Sequence, residues 1–381
     1  MESWTTEVAV PGAVTEQPSF SFILLNIIYS IIGLLGIVGN SLVIFVAVRV
    51  PSLRSVTNVL ICNQTIIDLT SSVFFVVLYL VPKPQVPGNE LAASVLCKLW
   101  LSDWPLWGFS VSSTVNLVLL TLERYFAIIH PIKYRRKFSM KCAKCLALIP
   151  WFVGPLHELG WALVHVVDSN GDCGPKWPSL TLQRVLGVVF FIGHYLMPVT
   201  LMVYVYTKIV LRLRRDWRSP PPQAPASASE IGVSYRVDIG PPDIPLPNRS
   251  PAPEKKRFNL LASRSVLRTL VIVSVSYIIC WGPNEIIYLV YNLGGYVEFN
   301  GVYHSLSVIF VLCNMCLNPI IYAFHYEEFR KALRATFSCH VSIPWKRLMC
   351  WRMRTTSNHN GPRSQLPSVT STLQLADTIQ T

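Results

Sequence analysis

The sequence predicts an all-α membrane protein: a seven-transmembrane helix bundle with a short amphipathic eighth helix. Three observations lead there. The 381-residue chain is 51% hydrophobic and only 14% charged, with mean hydropathy +0.42, whereas a soluble domain carries about 25% charged residues. Seven stretches, at about 21–48, 58–82, 95–128, 142–165, 184–212, 264–293 and 301–325, are apolar over the roughly 20 residues a helix needs to cross a hydrocarbon core of about 30 Å. The remaining charge lies in short blocks between them.

Residues 1–20 hold no Lys or Arg and read as an extracellular N-terminus. The apolar run from Phe20 lacks a small-residue cleavage site and reads as the first span, acting as its own insertion signal. Prolines 105, 155, 198, 283 and 319 interrupt several spans; a bundle tolerates them because neighbours satisfy the freed carbonyls. The linker from about 213 to 263 contains Ser219-Pro220-Pro221-Pro222 and Pro241-Pro242, which suits a disordered or polyproline-like segment. Tyr326, Phe329, Leu333 and Phe337 recur at three and four residues, with Glu327, Glu328, Arg330, Lys331 and Arg334 opposite. That pattern suits a helix lying on membrane lipid. Residues 21–337 thus form the seven-helix domain and 338–381 a polar tail, in which Cys339 and Cys350 are palmitoylation candidates or plain reduced thiols.

With the C-terminus inside, 29 of the 33 Lys and Arg fall on one side, leaving Lys83, Lys98, Lys176 and Arg184 on the other. Positive charge stays cytoplasmic, so the N-terminus faces outward from a multi-pass plasma membrane protein. The net charge of +13 does not imply nucleic acid, since no basic module interleaved with aromatics is present. Of ten cysteines only Cys97 and Cys173 lie on the oxidising side, and these are expected to be bridged. Cys142-Ala-Lys-Cys145 and Cys313-Asn-Met-Cys316 match CxxC, but zinc needs four converging ligands; they read as small packing residues. The sequons at Asn63 and Asn248 fall in a span and in the cytoplasm, and neither is expected to carry sugar.

Ionisable groups at bilayer depth are costly and mark function. Asp68 sits mid-way along the second span, with Ser113, Asn314 and Asn318 as candidate neighbours. Such a carboxylate either recruits a small cation such as sodium or packs neutral and hydrogen-bonded. Glu123 and Arg124 are adjacent at the inner end of the third span; their attraction would restrain Arg124 in one state, or the pair only snorkels.

Together these motifs resemble the rhodopsin-like (class A) G-protein-coupled receptors. Gly39-Asn40, Asn63 with Asp68, Glu123-Arg124-Tyr125, Trp151, Pro198 with Tyr206, Cys280-Trp281-Gly282-Pro283 and Asn318-Pro319-Ile320-Ile321-Tyr322 occur in order on the matching spans, and the resemblance covers about residues 21–340. It implies that Arg124 engages a heterotrimeric G protein once the sixth helix swings out, helped by Tyr206 and Tyr322. It also implies that Trp281 is the rotamer switch under the ligand, with Pro283 as the pivot, and that Asp68, Ser113, Asn314 and Asn318 form a sodium pocket. Coupling between ligand and G protein is reciprocal. Arrestin and a receptor kinase are further implied partners, with tail sites such as Thr355, Ser357 and Ser368 as phosphate acceptors.

Three features depart from the family pattern. Cys97 precedes Arg124 by 27 residues, two more than usual, which predicts a bulge, with Pro105 as its candidate position. Tyr277 stands where Phe is typical of the transmission contact, beside Thr114 in place of an aliphatic residue. Met315 replaces a common sodium-pocket Ser.

No Lys lies between Lys256 and Lys331, so the seventh helix cannot form a retinal Schiff base. The amine-receptor Asp position holds Leu106, with Asp103 one turn earlier. The outer half carries ten acidic residues against four basic ones, and an acidic mouth steers cationic ligands. With aromatic groups near the rim, a basic or amidated neuropeptide fits best, and a small molecule (an amine or lipid) is the alternative. Candidate ligand-binding residues are Asp103, Trp107, His194, Glu285, Tyr288, Tyr303 and His304, with Glu285 expected to meet the cation. A transporter would show repeat symmetry or a charged file through several spans, which this chain lacks, and no catalytic constellation is evident.

Overall fold

The computed structural model describes residues 20–50, 55–218, 253–299 and 301–338, with the backbone alone at 21, 216–218, 253–264 and 338. The N-terminus to residue 19, the proline clusters of the linker, Cys339, Cys350 and the tail sites lie outside the described residues.

Among the described residues, seven helices have the length and apolarity to cross a membrane: Phe22–Arg49, Val56–Leu80, Glu90–Ile129, Met140–Leu163, Leu180–Arg215, Ser265–Asn292 and Val302–His325. They are the first to seventh spans below. Ser55, Asn89, Ser139 and Ser179 cap the second, third, fourth and fifth, each side chain accepting from a backbone N–H three residues on. The helix of the fifth span continues to Arg218 and that of the sixth begins at Pro253. Both therefore run into the segment 213–263 that was expected to be a linker. Arg, Lys and Leu at these ends are good helix formers, and Ile209, Leu213, Val266, Leu267 and Leu270 keep a buried stripe going.

The third and seventh spans are the most buried and the fourth and fifth the least. Phe152 and Leu156 on the fourth span are exposed, as expected for side chains solvated by lipid rather than protein. The third and fourth spans touch through glycine: a Cβ on Gly154 would collide with the Gly108 carbonyl and with Ser112. Close backbone approach through small residues is how membrane helices gain packing energy.

Two prolines leave carbonyls that a neighbouring span then satisfies. Pro319 has no N–H for Met315, and Asn40 Nδ2 of the first span donates to the Met315 carbonyl at 3.0 Å. Pro198 has none for His194, and the Tyr277 hydroxyl of the sixth span donates to the His194 carbonyl at 2.5 Å.

At one end of the bundle, β1 (His165–Val167) pairs antiparallel with β2 (Cys173–Pro175), with Val167 opposite Cys173. Asp168 shapes the turn between them by accepting from Asn170 N and Asp172 N at 2.8 and 2.9 Å, and Gly171 takes φ 86°. The expected Cys97–Cys173 disulfide joins β2 to the third span, with Cα atoms 5.6 Å apart.

The bulge in the third span lies earlier than Pro105. The chain makes a π-helical turn over Cys97–Leu101, and Asp103 takes a left-handed φ of 57° before the helix resumes at Trp104. Pro105 sits in the first turn of the resumed helix, where a missing N–H costs nothing.

A helix Pro131–Lys137 follows the third span, and a final helix Glu327–Ser338 follows the seventh. Of the expected apolar stripe, Tyr326 and Phe329 are buried against the bundle, Leu333 packs partly against it and Phe337 is exposed; Ala332, outside that stripe, is buried as well. Of the separate unit Phe337–Thr381, only Phe337 and Ser338 are described, as the last residues of that helix.

Candidate functional site

A cavity of about 210 Å³ opens between the spans at the disulfide end. Six of the seven residues expected there line it: Asp103, Trp107, His194, Glu285, Tyr288 and His304. Tyr303 does not; it is 86% exposed at the start of the seventh span. Neighbours on a helix differ by about 100°, so Tyr303 and His304 cannot both face inward. His157, Glu158, Trp161 and His165 line the cavity as well. The His157-Glu158 dipeptide in an otherwise apolar span is the sequence signal for these residues.

Each cavity acid faces a base. Asp103 lies 3.8 Å from Lys83, Glu158 3.0 Å from His157, and Glu285 2.5 Å from His194 Nδ1. Glu285 therefore does not project a free charge, as the sequence suggested; it is almost fully buried and engaged. His165 Nδ1 donates to the Trp161 carbonyl at 2.9 Å, and burial lowers its pKa, keeping it uncharged near neutral pH.

His194 is a hub. Its Nε2 lies 3.1 Å from Thr114 Oγ1, its carbonyl accepts from Tyr277, and its ring meets Trp281 edge-on with centroids 4.2 Å apart. Trp107 packs on the same indole at 6.3 Å. Trp281 thus floors the cavity, two residues before Pro283. The unusual Tyr277–Thr114 pair meets His194 in two different ways: the Thr114 hydroxyl faces the polar imidazole, and the Tyr277 hydroxyl donates to the backbone carbonyl.

At mid-depth, Asp68 is fully buried. It accepts from Ser113 Oγ at 2.7 Å and Asn318 Nδ2 at 2.7 Å. Asn314 is buried nearby but makes no hydrogen bond to Asp68. Its place is taken by Gln64, whose Nε2 lies 3.2 and 3.4 Å from the two carboxylate oxygens. A sodium ion needs oxygen ligands turned toward it. Around Asp68 the two nearby amides turn N–H groups inward, so the residues present do not fit the cation.

At the opposite end, Arg124 donates to both carboxylate oxygens of Glu123 at 2.6 Å, and also to Thr57. Tyr134 on the helix after the third span donates to Glu123 as well. Burial, then the Glu123 carboxylate, raise the Tyr134 pKa, keeping it a donor. Tyr125 stacks edge-on with His130. Tyr206 bonds Thr121 at 3.0 Å and Ser274 at 3.4 Å, while the buried Tyr322 hydroxyl has no partner among the described residues. Arg124 is thus clamped by acceptors from its own and the second span, and neither tyrosine hydrogen-bonds to it.

The family model described as 7 transmembrane receptor (rhodopsin family) matches residues 39–322. The chain belongs to that family. Similar proteins include galanin receptor 2b of Danio rerio, 29% identical over 84% of this chain and 76% of that one. The allatostatin-A receptor of Bombyx mori is 26% identical, covering 82% and 79%. Somatostatin receptor type 1 of Rattus norvegicus is 27% identical, covering 82% and 71%. The matched stretch contains the Glu123–Arg124 pair, Trp281 with Pro283, and Asn318-Pro319.

Proposed function

We propose that this receptor binds a basic or amidated peptide at the disulfide end, facing the cell exterior, and promotes nucleotide exchange on a heterotrimeric G protein at the Arg124 end. The observation that carries the reading is the cavity lined by Asp103, Glu158 and Glu285 and floored by Trp281. At about 210 Å³ it is smaller than an ordinary small-ligand pocket. It suits a terminus or one or two side chains of a longer ligand resting on the aromatic rim. Relatives named for galanin, allatostatin-A, cholecystokinin and somatostatin support a peptide.

A ligand cation entering the cavity competes with His194 for Glu285. Releasing the His194 ring loosens its contacts to Thr114 and Trp281 together, and so the packing of the fifth span on the sixth. The sixth span then pivots outward at Pro283, and Arg124 leaves Glu123 to meet the G protein. Because the same two states are biased from both ends, G protein binding tightens ligand binding by an equal factor.

A calcium, cAMP and arrestin screen against a peptide library tests this reading. Potency of basic peptides should fall about tenfold or more in Glu285→Gln, the loss of a charge-assisted contact, with neutral peptides unaffected. Equal potency of basic peptides on both forms would remove the acidic pocket from the account. A second reading, a small cationic amine, is favoured by Asp103 lining the same cavity; it predicts hits among amines and none among peptides.

A further inference from the structure

The amides beside Asp68 form a chain whose direction is set at both ends. Trp151 Nε1 carries a hydrogen and can only donate; it lies 3.0 Å from Asn63 Oδ1. Asn63 must then turn its NH2 group to Asn116 Oδ1, 2.8 Å away. Asn116 in turn donates to the Leu60 carbonyl at 3.0 Å and to Gln64 Oε1 at 2.8 Å. The Leu60 carbonyl can only accept, so it demands the same orientation independently. Gln64 is left with its NH2 group facing Asp68 and Ser113. All of these side chains except Trp151 are buried away from bulk solvent.

Every acceptor of the Asp68 carboxylate is thereby met by a protein donor: Ser113, Asn318 and Gln64. Gln64 offers the region hydrogen atoms, and its one oxygen is held away by Asn116. We propose that the Gln64 carboxamide is a built-in occupant of the Asp68 site, sitting where a sodium ion would sit, so that the conformational balance of this receptor does not respond to sodium. The amide also ties the second span to the third without exchange with solvent, whereas an ion leaves and returns with its concentration.

The test is thermal unfolding of the purified full-length receptor in detergent, titrated with NaCl or choline chloride at equal ionic strength. A ligand that binds only the folded state raises its melting temperature with concentration. The wild type should melt identically in the two salts. Gln64→Ala should gain a saturable sodium-specific rise, and adding Asp68→Asn should abolish it. A sodium-specific rise in the wild type that Asp68→Asn removes overturns the proposal, and so does a Gln64→Ala receptor that stays indifferent to sodium. Should Gln64→Ala fail to fold, sodium-23 line broadening on the wild type decides: no broadening beyond that of Asp68→Asn is expected, and Asp68-dependent broadening contradicts it.

Discussion

Tyr277 shows how one side chain can be explained only through another span. By sequence it departs from a family preference. In the structure it supplies the donor that Pro198 denies to the His194 carbonyl. Tyr277→Phe should cost about 1–3 kcal/mol, the penalty for a buried acceptor left unpaired, read as a lower melting temperature in detergent. A stability equal to wild type would mean that the fifth span satisfies this carbonyl by itself. Gln64 was illegible for a related reason. It is uncharged, so it does not stand out in an apolar span, and its meaning depends on Trp151 and Asn116, 87 and 52 residues away. Asp68, Glu123, Arg124 and Glu285 were legible because charge in an apolar run is conspicuous, although the partner of Glu285 was not.

At the scale of an element, spans were read well because about 20 apolar residues leave few alternatives. Their ends were read less well. The fifth and sixth helices extend past the membrane on charged residues that hydropathy counts as loop. The spacing from Cys97 to Arg124 announced a bulge, but a proline was a poor guide to its position, since in the first turn of a helix proline causes no disruption. The bulge instead turns on Asp103 at φ 57°. Asp103→Gly should hold the backbone stability of the wild type, while Asp103→Val should lose about 1–2 kcal/mol, because a Cβ-branched residue is strained in this region. Thermal melts of the two variants separate the backbone effect from loss of the carboxylate, which both share. Equal melting of the two would place the strain elsewhere.

For the molecule as a whole, the basic blocks and the acidic cavity lie at opposite ends of one bundle. Between them lies a series of separate clusters: Glu285 and His194 with Trp281 and Tyr277, then Asp68 with Asn318, then the Glu123–Arg124 pair. The sequence supplied the endpoints of that series, and only folding supplied the joints. The central claim is that Glu123 and its neighbours hold Arg124 in a resting state from which activation releases it. Basal nucleotide exchange on purified G proteins, measured in membranes without ligand, tests this most directly. Glu123→Gln removes a charge-assisted pair valued at about 1.5–3 kcal/mol and should raise basal exchange about tenfold or more, while Glu123→Gln with Arg124→Ala should return it to background. Unchanged basal exchange in Glu123→Gln, at equal surface expression, would contradict the account.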